Sequence, residues 1–303
     1  MSAPDVPPPT LKDAFDRRFL RLAAGGMVPA RWFLPSIPPV EERAARTGRL
    51  SLEVVSHCWN YSHMLAYQLS SLAHYSPTRL DVIMTVFHAA EDQDTVALLD
   101  YFGALAVPGV TWNWQELDKG RLFRRAIGRN LAAQATRCDW VWFTDCDLLF
   151  HAGCLDGLAE ALQGRRDALV FPREERTTSL LEPTDEMLNV GRGAPRLLDI
   201  DTERFSPREV TRATGPLQIA HGDIARACGY VDSLAYYQKP SRVWAKAEED
   251  RAYRWLLRTQ GVPVDVPGVY RIRHISKGRY GGSGSTWLRS TVRKIQSWFR
   301  NGA

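Results

Sequence analysis

Asp145-Cys146-Asp147 sets two carboxylates at i and i+2, one residue beyond the apolar run Trp140-Val141-Trp142-Phe143. A pair so spaced, delivered to a sheet edge by a buried strand, suits a hard divalent cation and a bridging phosphate oxygen. Two more pairs of this spacing, Asp92/Asp94 and Asp199/Asp201, lack a preceding apolar strand and are expected to be solvated loop carboxylates. A third acidic group, Glu248-Glu249-Asp250, opens the stretch AEEDRAYRWLLRTQG, which reads as a helix with a glycine terminator. Acids in a first helical turn are favourable without any further role. His274 follows the alternating run VYRIR, and a lone histidine is more often a hydrogen-bonded structural residue than a ligand. Lys277 and Arg279 stand in a Gly- and Ser-rich loop, as solvated charges or as a grip on a diphosphate.

Strands and helices that alternate must position these groups. LEVVSH, LDVIMTVFH, VPGVTWNW and WVWFTDCDLLF read as strands, separated by helical patterns over Tyr61–His74, TVALLDYF and RLFRRAIGRNLAAQATR. Continuous apolar strands alternating with helices imply a mostly parallel sheet covered on both faces. Ligands bind beyond the carboxyl ends of such strands, so His57–Tyr61, His88–Asp94 and Thr144–Asp147 should gather there. The later chain adds a strand at ALVFPRE, a polar insertion over 182–209, and strand, turn and short helix in GPLQIAHGDIARACGY.

The chain has 303 residues, 45% of them hydrophobic and 24% charged, which excludes disordered, collagen-like and disulfide-scaffold classes. Its net charge of +5 is unevenly placed, with eight Lys or Arg and no acid from Arg271 onward. The remaining body is slightly acidic and offers no cationic track, so no nucleic-acid partner is expected. Five cysteines without CxxC spacing read as reduced, buried thiols rather than a zinc site. The opening MSAPDVPPPT is not a signal peptide, and no apolar stretch is long enough to span a bilayer; a cytoplasmic protein is expected.

GRNLAAQATRCDWVWFTDCDLLF resembles the central stretch of family-2-like glycosyltransferases of the GT-A fold, where an Arg-Asn helix precedes a strand ending in a DxD motif. VVSHCWNYSHMLAYQLSSLAHY resembles their first strand, donor loop and helix. GPLQIAHGDIARACGYVD resembles their acceptor-side strand and Gly-Tyr turn, and AEEDRAYRWLLR their Glu-Asp helix. The matches keep the family order over roughly 50–280. The resemblance implies a GT-A-like, Rossmann-related domain that transfers a sugar from a nucleotide-sugar donor, UDP-linked by preference, with Mn2+ or Mg2+. It implies Asp147 as direct metal ligand, Asp145 on the ribose or a metal-bound water, and His274 as a further metal group. Arg129 and Asn130 would line the nucleotide side with His57, Asn60, Lys277 and Arg279. Asp250, with Glu249 beside it, matches the catalytic base of inverting members. One departure concerns the second strand, which in the family ends in an Asp that reads the nucleobase. Here His88 stands in that place, with acids only at Glu91, Asp92 and Asp94. Another is the longer spacing between Gly120 and Arg129.

The expected organisation is a Pro-rich arm over 1–48, a catalytic unit over 49–280 divided near residue 150 into donor and acceptor halves, and an appendage over 281–303. The arm mixes Arg with Phe, Leu and Trp and should lie on a surface, its own or another's. In STWLRSTVRKIQSWFR, apolar and basic residues separate onto two helical faces, which suits an anionic membrane, the enzyme's own domain or a homodimer partner. A membrane would suit a lipid-linked glycan acceptor in surface-polysaccharide assembly. Two other functions compete: a sugar-phosphate nucleotidyltransferase and a catalytically silent glycan- or membrane-binding module. The first should carry a Gly-rich basic loop after its first strand, and SHCWNYSHM is not one.

Overall fold

β1 (Leu50–His57), β2 (Leu80–His88), β3 (Val110–Glu116) and β4 (Trp140–Phe143) run parallel, in the spatial order β3-β2-β1-β4. Val54 sits between Met84 on one neighbour and Trp142 on the other, all three fully buried. Apolar side chains on both faces explain why these strands lack the alternation of a half-exposed sheet. The computed structural model describes residues 6–244 and 248–274. Lys277, Arg279 and the basic appendage over 281–303 lie outside the described residues.

β4 ends at Phe143, and the chain re-enters a sheet as β5 (Leu148–Phe150), so the stretch read above as one strand is two. The central sheet is completed by β6 (Leu169–Pro172), β9 (Gln218–His221) and β10 (Val262–Val264), giving seven strands in the order β10-β6-β9-β4-β1-β2-β3. Only β9 runs against the rest. A second sheet of four strands, β5-β11-β7-β8, uses β7 (Glu174–Thr178), β8 (Phe205–Glu209) and β11 (Val269–Arg271). Thr144–Asp147 is the joint between the two sheets, which fixes where its carboxylates stand.

The helices are α1 (Leu11–Leu22), α2 (Ser62–His74), α3 (Gln93–Gly103), α4 (Lys119–Leu122), α5 (Arg125–Ala135), α6 (Cys154–Ala161), α7 (Glu186–Val190), α8 (Gly222–Cys228) and α9 (Glu249–Leu256). The single helix read over RLFRRAIGRNLAAQATR breaks at Phe123–Arg124 into α4 and α5. Asp92 is buried rather than solvated: its carboxylate caps α3, accepting from the Thr95 N–H at 3.3 Å and the Thr95 hydroxyl at 2.6 Å. Asp199 and Asp201 are exposed as expected. All five cysteines are buried and outside disulfides. No helix among the described residues is long and apolar enough to cross a membrane.

The N-terminal arm lies on the protein's own α9. Arg17 pairs with Glu248 at 3.3 Å, the Trp255 indole donates to the Val28 carbonyl at 2.9 Å, and Arg251 Nε donates to the Ala24 carbonyl at 3.0 Å. Beneath the joint of the two sheets, Phe143, Tyr230 and Tyr253 form an aromatic plug with ring centroids 4.4–5.9 Å apart. It ties β4 to α9 and to the turn after α8.

Candidate active site

The carboxyl ends of β1, β2 and β4 meet as their parallel order requires. Cys146 Sγ donates to the His57 carbonyl at 3.2 Å, and the Asn60 N–H donates to Asp92 at 2.6 Å. The joint carrying Asp145 and Asp147 is clamped from below by Gln68 of α2. This buried amide donates to the carbonyls of Asp145 at 3.0 Å and Leu148 at 2.8 Å, while its oxygen accepts from the Ser56 hydroxyl at 2.6 Å. The Asp147 carbonyl accepts from the Ile272 N–H at 2.9 Å. Both main-chain ends of the acidic loop are thereby fixed.

Arg125, at the start of α5, is the centre of the arrangement. It is buried, with Nη1 2.5 Å from Asp145 Oδ1 and Nη2 3.4 Å from Glu249 Oε1. Burial by itself lowers a guanidinium pKa; the charges of Asp145 and Glu249 outweigh it and hold the group raised, so it is always cationic. One side chain thus joins the acidic loop after β4 to the acidic turn of α9. Sequence reasoning had selected Arg129 and missed Arg125. The i, i+4 spacing that places both on one face of α5 was the available signal.

Arg129 and Asn130 lie lower. Arg129 is fully buried and donates to the Tyr230 hydroxyl at 2.9 Å and the Thr144 carbonyl at 3.2 Å, with Asp145 3.6 Å away. Asn130 donates to Asp232 at 2.7 Å and accepts from the Tyr230 N–H at 2.8 Å. It latches the turn at Gly229, where φ is 61° and an added Cβ would fall 2.4 Å from the Asn130 oxygen. Both residues hold the site's floor, with their polar groups turned to the protein rather than outward.

Glu249 and Asp250 differ in setting. Glu249 is buried, accepting from Arg125 and, at 2.9 Å, from the Glu248 N–H. Asp250 is half-buried, 3.2 Å from Arg254 one helical turn away, and its carbonyl accepts from Gln218 at 3.0 Å. It opens into a cleft of about 620 Å3 lined also by Arg21, Gly25, Arg212, Thr214 and Arg251. The N-terminal arm forms one wall of that cleft, a contribution its composition did not reveal.

His274 is buried, and its Nε2 meets the Tyr61 hydroxyl. His57 is also buried, stacked on Phe87 with ring centroids 5.0 Å apart. Asn60 is exposed and lines a separate cleft of about 400 Å3 with Ser62, Asp94 and Arg192. At the end of β2, His88 is half-buried, and burial lowers its pKa. Of the nearby acids, Asp92 caps α3, leaving Glu91 and Asp94 exposed. Glu175 of β7 was unmarked by sequence: buried, it accepts from Arg271 at 2.5 Å and Arg208 at 3.2 Å. Burial raises its carboxyl above the usual range, both arginines pull it back, and the charge of Asp147 pushes it further up.

The two carboxylates at the joint, Asp145 and Asp147, are hard oxygen donors of the kind that Mn2+ and Mg2+ take. Asp145 is drawn to Arg125, and the described residues contain no cluster of three or more His, Cys, Asp or Glu ligands. An ion that shares its shell with substrate phosphates and water needs only one or two protein carboxylates, so the residues present fit that mode of binding.

A mostly parallel α/β sheet with one reversed strand, bearing its acidic loop at the carboxyl edge, is the GT-A-like architecture. The model of glycosyl transferase family 2 matches residues 55–215, more than half of the chain, and the chain belongs to that family. It is a glycosyltransferase. No curated protein matches it. Among solved structures it is similar to the mannosyltransferase PcManGT from Pyrobaculum calidifontis in complex with GDP-Man and Mn2+, at 17% identity over 96% of this chain and 76% of that one, with a TM-score of 0.44. It is also similar to residues 1–349 of S. aureus TarS in complex with UDP-GlcNAc, at 13% identity over 77% of this chain and 62% of that one, again with a TM-score of 0.44.

Proposed function

We propose that the chain transfers a sugar, with inversion, from a nucleoside-diphosphate sugar to a hydroxyl of a glycan or lipid-linked acceptor, within a catalytic unit over 49–280. The observation that carries this reading is the Arg125 bridge. It brings the acidic loop after β4 and the acidic turn of α9 within reach of one guanidinium. Asp147 and Asp145, with His274, would hold a divalent cation at the donor end. Such an ion supplies positive charge to the leaving diphosphate. Arg125 adds a fixed positive charge between the two acidic groups, in a dry setting where such charge acts strongly.

Asp250 is the base: with Glu248 it lines a cleft where an acceptor can enter, and Glu248 is held by Arg17 while Glu249 is buried against Arg125. Its carboxylate takes the proton of the acceptor hydroxyl as that oxygen attacks the anomeric carbon, and the bond from that carbon to the diphosphate oxygen breaks. Glu249 positions Arg125 and the start of α9. Arg129 and Asn130 position the joint and the Gly229 turn from below, and His57 and Asn60 stand on the donor side. The nucleotidyltransferase alternative falls with the family assignment. The experiment is hydrolysis of a panel of UDP- and GDP-sugars with Mn2+ or Mg2+. Ion-dependent turnover that disappears in Asp147→Ala is expected; no turnover of any donor overturns the reading.

A further inference from the structure

α1 carries two faces of opposite character. Towards the body it turns Leu20, which is buried, Asp13, which bonds Lys239 at 2.9 Å, and Arg17, paired with Glu248. Away from the body it turns Leu11, Phe15 and Leu22, at i, i+4 and i+11 on one side of the helix, with Phe19 at the edge of this stripe against Phe33, ring centroids 6.2 Å apart. Leu11 is 92% exposed, Phe15 68% and Leu22 58%. Beyond α1, Met27 and Trp32 are 76% and 69% exposed. The stripe is flanked by Lys12 on one side and Arg18 on the other; both are exposed and neither has a carboxylate partner among the described residues. Because the inward face is anchored by ion pairs and a buried leucine, the apolar stripe cannot roll inward without breaking them.

We propose that this outward face of α1 is a docking surface for an anionic lipid bilayer. Aromatic and aliphatic side chains flanked by Lys12 and Arg18 match an interface in which apolar groups enter the acyl boundary and cations meet headgroup phosphates. The two acids of α1, Asp13 and Asp16, are half-buried, and Asp13 is paired with Lys239 on the inward side. Its position has a consequence for the chemistry. The same arm, through Arg21 and Gly25, walls the cleft into which Asp250 opens. Docking through α1 therefore brings that cleft to the membrane, where an acceptor held on a lipid presents its sugar. The surface itself stands apart from the assignment of Asp250 as base.

The test is co-sedimentation of the full chain with vesicles of phosphatidylcholine alone and of equal parts phosphatidylcholine and phosphatidylglycerol. Wild type should favour the mixed vesicles. Phe15→Ser combined with Leu22→Ser should lower the partition coefficient by ~10-fold or more, as expected when two buried apolar anchors are lost. Lys12→Glu combined with Arg18→Glu should abolish the preference for phosphatidylglycerol. All four side chains are exposed, so the variants should keep the wild-type circular dichroism spectrum and donor hydrolysis. A wild type that ignores the mixed vesicles overturns the proposal, as does a Phe15/Leu22 variant that partitions unchanged. Concentration-dependent dimerisation lost in that variant, without vesicle binding by wild type, assigns the face to a second copy of the chain instead.

Discussion

Arg125 and Asp145 meet at 2.5 Å across the joint between the two sheets, and the remaining amino group of Arg125 reaches Glu249. Removing the guanidinium leaves two acids with uncompensated charge in a largely dry setting. Arg125→Ala should therefore cost about 3–5 kcal/mol of stability, the range for breaking a buried ion pair from one side. Arg125→Lys keeps the charge but lacks the fork that spans both carboxylates. It should fold, with turnover reduced about 10- to 100-fold. Urea unfolding and donor turnover read the two effects separately; a Lys variant with wild-type turnover would show that the bridge has no part in the reaction.

Gly128 tests the packing under the donor side. In a helix interior, Gly→Ala ordinarily stabilises by about 1 kcal/mol. Here the added methyl would fall 2.2 Å from His57 Nε2 and 2.9 Å from Phe87. Overpacking costs about 1–3 kcal/mol and should win, because His57 is buried and stacked on Phe87. Gly128→Ala is expected to lower the melting temperature and weaken donor binding through a displaced His57. A variant more stable than wild type would mean that the ring moves freely.

Stability should fall on mild acidification. His88, His151 and His221 all have pKa values lowered from the ordinary 6.5, with burial the leading cause in each. His221 Nδ1 accepts from the Asp223 N–H at 3.2 Å, and its Nε2 faces the Ala44 carbonyl at 3.0 Å, the pattern of a neutral ring. Below the unfolded value the unfolded chain binds protons that the folded chain does not. Their contribution is full above 6.5 and is lost as pH falls towards the folded values, with a slope of up to about 1.4 kcal/mol per pH unit for each group. Urea unfolding at about pH 7.5 and about pH 5.5 should show this loss, and His221→Gln should reduce it. Identical stability of the wild type at both would contradict the neutral rings.

The parallel half of the fold was legible because β1, β2 and β4 are buried on both faces and read as unbroken apolar runs. The acidic loop was legible for the same reason. The site's inner wiring was not, because it depends on separations that local spacing does not carry. Arg125 meets Glu249 across 124 positions, and Tyr61 meets His274 across 213. Gln68 looks like any helical glutamine until its amide is found under the Asp145 loop. Asp92 was misread although the signal was present, since an acid three residues before Thr95 at a helix start is an N-cap pattern. The split of WVWFTDCDLLF into two strands was invisible because β5 finds its partner, β11, only at Val269–Arg271.

On the proposed function the joint binds the donor and α9 serves the acceptor, and one paired measurement separates the two roles. Donor affinity is measured calorimetrically with Mn2+, and transfer by product formation, for wild type, Asp147→Ala and Asp250→Asn. Asp147→Ala should lose both. Asp250→Asn should bind donor as wild type does while transfer falls about 100-fold or more, the scale of a missing general base. Transfer by Asp250→Asn at the wild-type rate, or undiminished donor affinity in Asp147→Ala, would contradict the account.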